Sequence, residues 1–334
     1  MRALVVGGGS IGTRHLNNLT VLDVSPLAVV EPNAERQKVL CQAGSVLGFS
    51  TLEEGLEWKP DFVVIASPSH LHVKQALEVA RAGCHLFIEK PLSHTDDGLG
   101  ELLKEVKSRG LITLVGCNMR FHPGPAKIKE LLEQEGIGKV LFARVHTGSY
   151  LPDWRPWQDY RKSYSANVAM GGGCLLDCIH EIDLTRWYIG EVEEVFCMAG
   201  HLSSLEMDVE DVAALICRHA DGTLSEIHLD YVQRTYERGC QIVGEQGSIF
   251  WDYNEGAVRW FDAKQDPWKT FGQPKDWQAN QMYIDELEHF LDCVRTGSQS
   301  TLPVSDAVKV MRVVFAAKAS AESGCRVRIA EVLS

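Results

Sequence analysis

Apolar residues in the first part of the chain come in short unbroken runs: Ala3-Leu4-Val5-Val6, Leu27-Ala28-Val29-Val30, Phe62-Val63-Val64-Ile65-Ala66 and Leu86-Phe87-Ile88. Runs without polar alternation predict strands covered on both faces, as in a parallel sheet. Amphipathic stretches separate them. Helices are expected over 11–19, from about 72 to 82 before Gly83, and over 96–109, with a further strand over 111–116. Strand alternating with helix is the pattern of a doubly wound sheet. Beyond Arg120 the period changes. Strands are expected over 140–146, 194–200, 212–218, 223–232, 240–244 and 248–252, with turn signals such as Ala220-Asp221-Gly222 and Gly244-Glu245-Gln246-Gly247 between them. That spacing predicts an antiparallel, meander-like sheet. Helices over 126–134 and 175–188 would cover one of its faces. A helix over 281–296 carries the apolar stripe Tyr283, Leu287, Phe290, Leu291 and Val294, and another over 304–323 ends at Gly324.

The expected fold class is therefore α/β: an N-terminal doubly wound (Rossmann) parallel sheet over 1–120, and a C-terminal α+β domain over 121–334 with a large, mostly antiparallel open sheet. The last helix is expected to pack back on the first domain. An open sheet face needs cover, and a homodimer or homotetramer is the expected source.

The first apolar run leads straight into Gly7-Gly8-Gly9-Ser10-Ile11-Gly12. Between a buried strand and a helix, Gly7 permits the tight turn. Gly9 lets backbone approach a pyrophosphate, and Gly12 lets the helix pack close. The second strand ends in Glu31, about 20 residues on, where an acid accepts hydrogen bonds from a ribose. Glu31 would repel a 2′-phosphate, which favours NAD over NADP; Arg36 nearby works against that preference. Ligands of open parallel sheets lie at strand carboxyl ends, and Gly7, Glu31, Ser67 and Lys90 all stand at such ends. Glu89-Lys90-Pro91 follows a buried strand, which argues for a fixed turn rather than an ordinary surface lysine.

Composition bounds the partners. The chain has 334 residues, long enough for two domains, with 45% hydrophobic and 23% charged residues. A formal net charge of −12 argues against nucleic acid. No apolar run is long enough to span a membrane, and Met1 leads directly into the first strand, so no signal peptide is expected. Ten scattered cysteines without a C-x-x-C pair read as reduced thiols of a cytoplasmic protein. Cys174 and Cys178 stand four apart without a second ligand pair, so no metal is expected.

Gly7-x-Gly9-x-x-Gly12-x-x-His15, Ala66-Ser67-Pro68-Ser69-His70-Leu71-His72, Glu89-Lys90-Pro91, Asn118-Met119-Arg120-Phe121, the segment 171–183 and Gly244-Glu245-Gln246-Gly247-Ser248 together resemble the glucose–fructose oxidoreductase/inositol dehydrogenase (Gfo/Idh/MocA) family over essentially the whole length. The resemblance implies an NAD-dependent oxidoreductase moving a hydride between nicotinamide and a hydroxyl carbon of a sugar, sugar acid, nucleotide sugar or polyol. It implies a cofactor site drawn from the loop residues Gly7, Gly9, Ser10, Ile11 and Gly12, from Glu31, from Ser67, Pro68, His70 and His72, from Glu89 and Lys90, and from Asn118 and Arg120. It implies Lys90 and His180 as the reacting pair. The residue types suit that chemistry: a histidine titrates near working pH, and a lysine stabilises charge on a substrate oxygen. Taken alone, His180 could equally be a core or capping histidine. Where the family places an aspartate four residues before the histidine, this chain has Leu176. Asp177, three before, and Asp183, three after, are the candidates to orient His180, Asp177 ranking first because three residues along a helix leave side chains as neighbours. This form of the segment also resembles a subgroup associated with surface-polysaccharide and acidic-sugar metabolism.

The segment 150–164 is too aromatic for a solvated linker and too irregular for a core element. Trp154 and Tyr160 offer faces to a sugar ring, and Arg155, Arg161 and Lys162 offer cations. With Lys90 and His180 they form the expected substrate site, a lid over an anionic carbohydrate. The bland alternative is a long loop with its rings packed down and its cations in water. A non-catalytic NAD-binding sensor on the same fold is the other functional class, and the presence of both Lys90 and His180 speaks against it.

Overall fold

The computed structural model describes residues 1–42, 45–264 and 268–332. The unbroken apolar runs become the centre of a parallel sheet. In chain order the elements are β1 (Ala3–Val6), α1 (Ser10–Val21), β2 (Leu27–Val30), α2 (Ala34–Cys41), β3 (Val46–Phe49), α3 (Leu52–Glu57), β4 (Phe62–Ile65), α4 (His72–Arg81), β5 (His85–Glu89), α5 (Leu99–Ser108) and β6 (Thr113–Gly116). Then come α6 (Pro123–Glu133), β7 (Val140–Gly148), α7 (Cys174–Asp177), α8 (Ile179–Ile189), β8 (Val192–Gly200), β9 (Val212–His219), β10 (Leu224–Asp230), β11 (Glu237–Gly244), β12 (Gly247–Asp252), β13 (Ala257–Asp262) and β14 (Lys269–Gly272). The chain closes with α9 (Gln281–Thr296), α10 (Val304–Ser323) and β15 (Val327–Arg328).

The chain divides into two units, Met1–Asn118 with Ala279–Val308, and Met119–Gln278 with Lys309–Ser334. The first unit holds six strands in the order β3-β2-β1-β4-β5-β6, all parallel. Every residue of β1, β2 and β4 is buried, as unbroken apolar strands require. The edge strand β3, half-exposed and interrupted by Gly48, has no such run and is not legible from apolar runs. Helix α9 belongs to this unit, although its place in the sequence puts it in the second domain. Its residues Leu287, Phe290 and Leu291 join the core under β1, β4 and β5, with Phe290 edge-on to Phe62 at 5.5 Å and to Phe87 at 5.7 Å. Segment 300–304 runs beside β6: Val115 N–H donates to the Leu302 carbonyl at 2.9 Å, and Thr113 Oγ1 accepts from Val304 N–H at 3.0 Å. Of α10, residues 304–308 belong to the first unit and the rest to the second.

The second unit holds a nine-stranded sheet, β14-β13-β12-β11-β7-β10-β9-β8-β15. It is mostly antiparallel, as expected, but it is not a meander. β7 lies between β11 and β10 and pairs parallel with β10. A parallel neighbour needs a long crossover, which the chain between β7 and β10 supplies. One face is buried through Ala143, Val145, Ala213, Leu215 and Cys217. The other carries Phe196 opposite Ile216, exposed Met198 and Leu224, and the cross-strand ion pairs Arg144–Glu226 at 2.7 Å and Arg218–Glu194 at 2.9 Å.

His122 caps α6: its Nδ1 accepts the Gly124 N–H at 3.1 Å. Its ring is buried among Trp251, Tyr253 and Trp277, with centroids 5.5, 5.2 and 4.6 Å away. Burial, with the Arg238 charge adding to it, pushes the His122 pKa down to about 4. The folded state therefore keeps His122 neutral where the unfolded chain, titrating near 6.5, takes up a proton. Its contribution is complete above about pH 6.5 and is lost as pH falls toward about 4, ~3 kcal/mol in all. Stability measured by denaturant from pH 7 to pH 4 should fall less steeply in His122→Asn, which keeps a capping acceptor, than in the parent chain.

Candidate functional site

In the first unit, the residues expected to hold a dinucleotide stand at the carboxyl ends of neighbouring strands. After β1 the chain turns at Gly7, with φ +98°, where a Cβ would lie 2.8 Å from the Ala66 carbonyl oxygen. A Cβ on Gly12 would lie 1.8 Å from the Gly7 carbonyl oxygen, so α1 rests on the turn only with glycine there. Gly9 is different: a Cβ there would meet nothing within 4 Å. Gly9 caps α1 with no side-chain acceptor, and the first turn, beginning Ser10-Ile11, carries no acid. An uncapped positive helix end behind a glycine with room before it fits a pyrophosphate.

Glu31, buried just after β2, accepts the Gly8 N–H on Oε2 at 3.0 Å and the Asn33 N–H on Oε1 at 2.9 Å. Arg36 Nη1 lies 3.7 Å from Oε2. The carboxylate thus shapes the glycine loop from the strand end where a ribose acceptor is expected. After β4, Ser67 Oγ donates to Gln75 Oε1 at 2.5 Å, Pro68 is exposed, and His70 is half-buried with its ring 6.3 Å from that of His94. His72 departs from the expected cofactor contact. It is 1% exposed, with Nδ1 2.8 Å from the Pro91 carbonyl oxygen and Nε2 2.8 Å from the Ser67 carbonyl oxygen, so both ring nitrogens are turned to backbone. Burial pushes its pKa down.

Glu89 ends β5 with Oε1 2.6 Å from His15 Nε2, while its Oε2 accepts the Lys90 N–H at 3.2 Å. Lys90 is half-buried on the turn that follows. Asn118, buried, hydrogen-bonds Tyr283 of α9, and the Tyr283 ring lies 4.4 Å from the Arg14 guanidinium carbon. Burial raises the Tyr283 pKa, Glu89 adding to it and Arg14 and Lys90 opposing it. His15 and Tyr283 are the members of this half that sequence reasoning left out. His15 was legible as a polar residue three past the last loop glycine, and Tyr283 as the polar-tipped member of the α9 stripe; neither position told which groups it faces.

In the second unit the expected single helix over 175–188 is two. Cys178, at φ −88° and ψ 33°, leaves the helical conformation between α7 and α8, so Asp177 ends one helix and His180, 8% exposed, sits in the first turn of the next. The helical-spacing argument for their contact therefore does not apply. Asp177 is buried and accepts from Ser165 Oγ at 2.6 Å, Tyr164 Oη at 2.9 Å and Tyr231 Oη at 3.4 Å. Asp183, fully buried, takes the Arg120 fork: Nε to Oδ2 at 2.8 Å and Nη2 to Oδ1 at 2.6 Å. Arg120, expected at the cofactor, is 5% exposed and lies in the second unit with its guanidinium on Asp183 and 5.2 Å from the Trp187 ring centroid. On the same helix Glu181, fully buried, pairs with Arg238 Nε at 2.8 Å.

The segment 150–164 is anchored at particular side chains, while Trp157 is 79% exposed. Trp154 donates from Nε1 to Ser149 Oγ at 2.7 Å and lies edge-on to Tyr231 at 5.3 Å. Tyr160 Oη accepts the Glu206 N–H at 3.0 Å. Arg155 lies 5.6 Å from the Tyr164 ring centroid, and Lys162 is exposed. Trp154, Arg155 and Tyr160, with Leu151, Gln158 and Ser163, line a small pocket with room for about one water. Arg161 corrects the anion-gripping expectation: it forks onto Asp159 at 2.8 and 3.0 Å and reaches Glu206 Oε2 at 2.6 Å, so it already holds two carboxylates. Among the described residues no cluster of three His, Cys, Asp or Glu could hold a metal, and no helix is long and apolar enough to cross a membrane.

The Arg120–Asp183 pair carries a consequence for stability. Arg120→Met leaves a buried carboxylate without its fork, and we expect a loss of about 3–5 kcal/mol in chemical denaturation. The NADH affinity of the folded fraction, titrated by fluorescence, should stay at the parent value.

A family model described as "Oxidoreductase family, NAD-binding Rossmann fold" matches residues 1–117, and one described as "GFO/IDH/MocA C-terminal domain" matches residues 126–250. The myo-inositol 2-dehydrogenase of Thermotoga maritima is 30% identical over 346 residues, covering 100% of both chains. Among solved structures, GenD2 from gentamicin A biosynthesis in complex with NAD superposes with a TM-score of 0.84 at 26% identity, over 98% of this chain and 96% of that one. Levoglucosan dehydrogenase in complex with NADH superposes at 0.90 over 98% of this chain and 99% of that one, a likeness of fold at 21% identity. With the glycine loop, Glu31 and the Glu89-Lys90-Pro91 turn arrayed on one parallel sheet, the chain belongs to the Gfo/Idh/MocA family of NAD-binding oxidoreductases.

Proposed function

We propose that this protein interconverts a secondary hydroxyl and a carbonyl on a cyclic sugar or polyol, with NAD as the redox partner. The observation that supports this most is Lys90: a half-buried lysine on an anchored turn, beside the strand ends that carry the dinucleotide loop. NAD supplies the hydride acceptor when bound. Lys90 holds the substrate oxygen and stabilises the negative charge that grows on it as the proton leaves. His180 receives that proton as general base. We assign the orienting role to Asp177, the carboxylate at the end of α7, itself fixed by Ser165 and Tyr164. Trp154, Arg155 and Tyr160 offer the substrate ring flat faces. The relatives named for myo-inositol and levoglucosan act on neutral rings, and Arg161 is already paired, so we favour a neutral ring over the anionic one. Ten cysteines outside disulfides suit a reducing compartment such as the cytoplasm.

The test is a spectroscopic screen. The protein is incubated with NAD or NADP and with inositols, anhydrosugars, hexoses and uronic acids, and reduced-nicotinamide absorbance is followed. We expect turnover with a neutral ring and NAD, a smaller NAD-over-NADP preference in Glu31→Ser, and a loss of ~10²-fold or more in Lys90→Met with NADH binding retained. Turnover of Lys90→Met at the parent rate would exclude the role of Lys90, and silence across the panel with NADH bound would favour a sensor.

The exposed sheet face bearing Phe196, Met198, Ile216 and Leu224 supports self-association. Light scattering at micromolar concentration should return a dimer or larger, and Met198→Glu with Ile216→Glu should shift it toward monomer.

A further inference from the structure

Two histidines of the first unit lie outside the reacting groups, and both are buried: His15 at 0% and His72 at 1% exposure. They come from different elements and reach the same turn. His15, on α1, contacts Glu89 at 2.6 Å, and Glu89 in turn accepts the Lys90 N–H. His72, at the start of α4, contacts the Pro91 carbonyl at 2.8 Å and, from its other nitrogen, the Ser67 carbonyl at 2.8 Å. Lys90 therefore stands between a residue bound to the phosphate-loop helix and a residue bound to the loop after β4. We propose that His15 and His72 are positioning residues that form a clamp on the Lys90 turn, setting it in fixed register with the two loops that receive NAD.

The chemistry suits this task. An imidazole is rigid, carries a polar atom on each side of the ring, and bridges two groups at fixed separation. His72 sets a nitrogen against a carbonyl oxygen on each side; the neutral ring donates to one of them and packs its other nitrogen against the second. His15 uses one; among the described residues its Nδ1 has no hydrogen-bond partner, and its ring is held edge-on by Phe87 at 5.0 Å. An apolar ring of similar size would fill either space but hold nothing. Because both side chains restrain one turn, loosening it from one side removes most of what the other can do. Independent sites add in free energy, whereas sites acting through one element do not.

The clamp rests on the reading of Lys90 only for its purpose; its test uses NADH binding, so absence of turnover leaves it intact. NADH affinity is measured by fluorescence titration on the whole chain for His15→Phe, His72→Phe and the double variant. We expect each single change to weaken NADH about tenfold, and the double variant to lie within about threefold of either. His15→Gln, whose amide nitrogen can stand where Nε2 stood, and His72→Asn, whose amide nitrogen can stand where Nδ1 stood, should recover most of the loss. Effects that multiply to about a hundredfold, or Gln and Asn variants as weak as the Phe variants, would overturn the clamp. Should a Phe variant fail to fold, His15→Asn, too short to reach Glu89, or His72→Leu, whose side chain has no polar atom, takes its place in the same cycle with the same expected outcome.

Discussion

Helix α1 lies so close to the turn after β1 that a single methyl group at position 12 would stand 1.8 Å from the Gly7 carbonyl oxygen. Much of the first unit's chemistry depends on this contact. It sets where the uncapped N-terminus of α1 points, and a helix end acts on an anion only within its first turn. It also sets where His15 falls, one turn further on, against Glu89 at the end of β5. Glu31 holds the loop from the other side through the Gly8 N–H. The glycines therefore do more than avoid a ligand: two allow a helix to sit where its own backbone becomes a binding group, and the third keeps its approach open.

In the second unit, buried charge pins helix α8. Glu181 and Asp183 are fully buried on α8, and each has its own arginine, Arg238 from β11 and Arg120 from the segment after β6. Two residues along a helix point about 200° apart, so the two pairs hold α8 from different sides. Buried ion pairs of this kind are weak sources of net stability, but losing one partner is costly. Their value lies in fixing an orientation. His180 stands directly before Glu181, so the rotation of its helix is set by these pairs.

Much of this was legible in the sequence. Unbroken apolar runs gave the parallel strands because burial on both faces leaves no room for alternation, and the loop glycines fell where sterics demands them. Three features were hidden for physical reasons. The stripe of α9 shows that one face is buried but not which sheet covers it, and Phe290 turned out to pack on Phe62 and Phe87 far earlier in the chain. The break at Cys178 lies between two apolar, helix-compatible stretches and has no glycine or proline to mark it. The parallel pairing of β7 with β10 is a property of long-range topology, to which strand spacing is blind.

Arg161 shows where counting residue types misleads. Three cations in a short aromatic segment suggest an anion site, but Asp159 stands only two residues before Arg161 and satisfies its fork, with Glu206 completing it. A guanidinium that already holds two carboxylates offers an incoming anion repulsion as much as attraction. What remains in the segment are the exposed Lys162 and flat faces: Trp154 against Tyr231 and Arg155 near Tyr164. Tyr164 also donates to Asp177, and Ser165 beside it does the same. The segment and the end of α7 are thus joined through one carboxylate. Displacing the rings of the segment would also strip Asp177 of hydroxyl donors in a buried setting, where an under-satisfied carboxylate is expensive. At Tyr164 the aromatic segment is therefore held by the carboxylate it supports, while Trp157, 79% exposed, lies outside that contact.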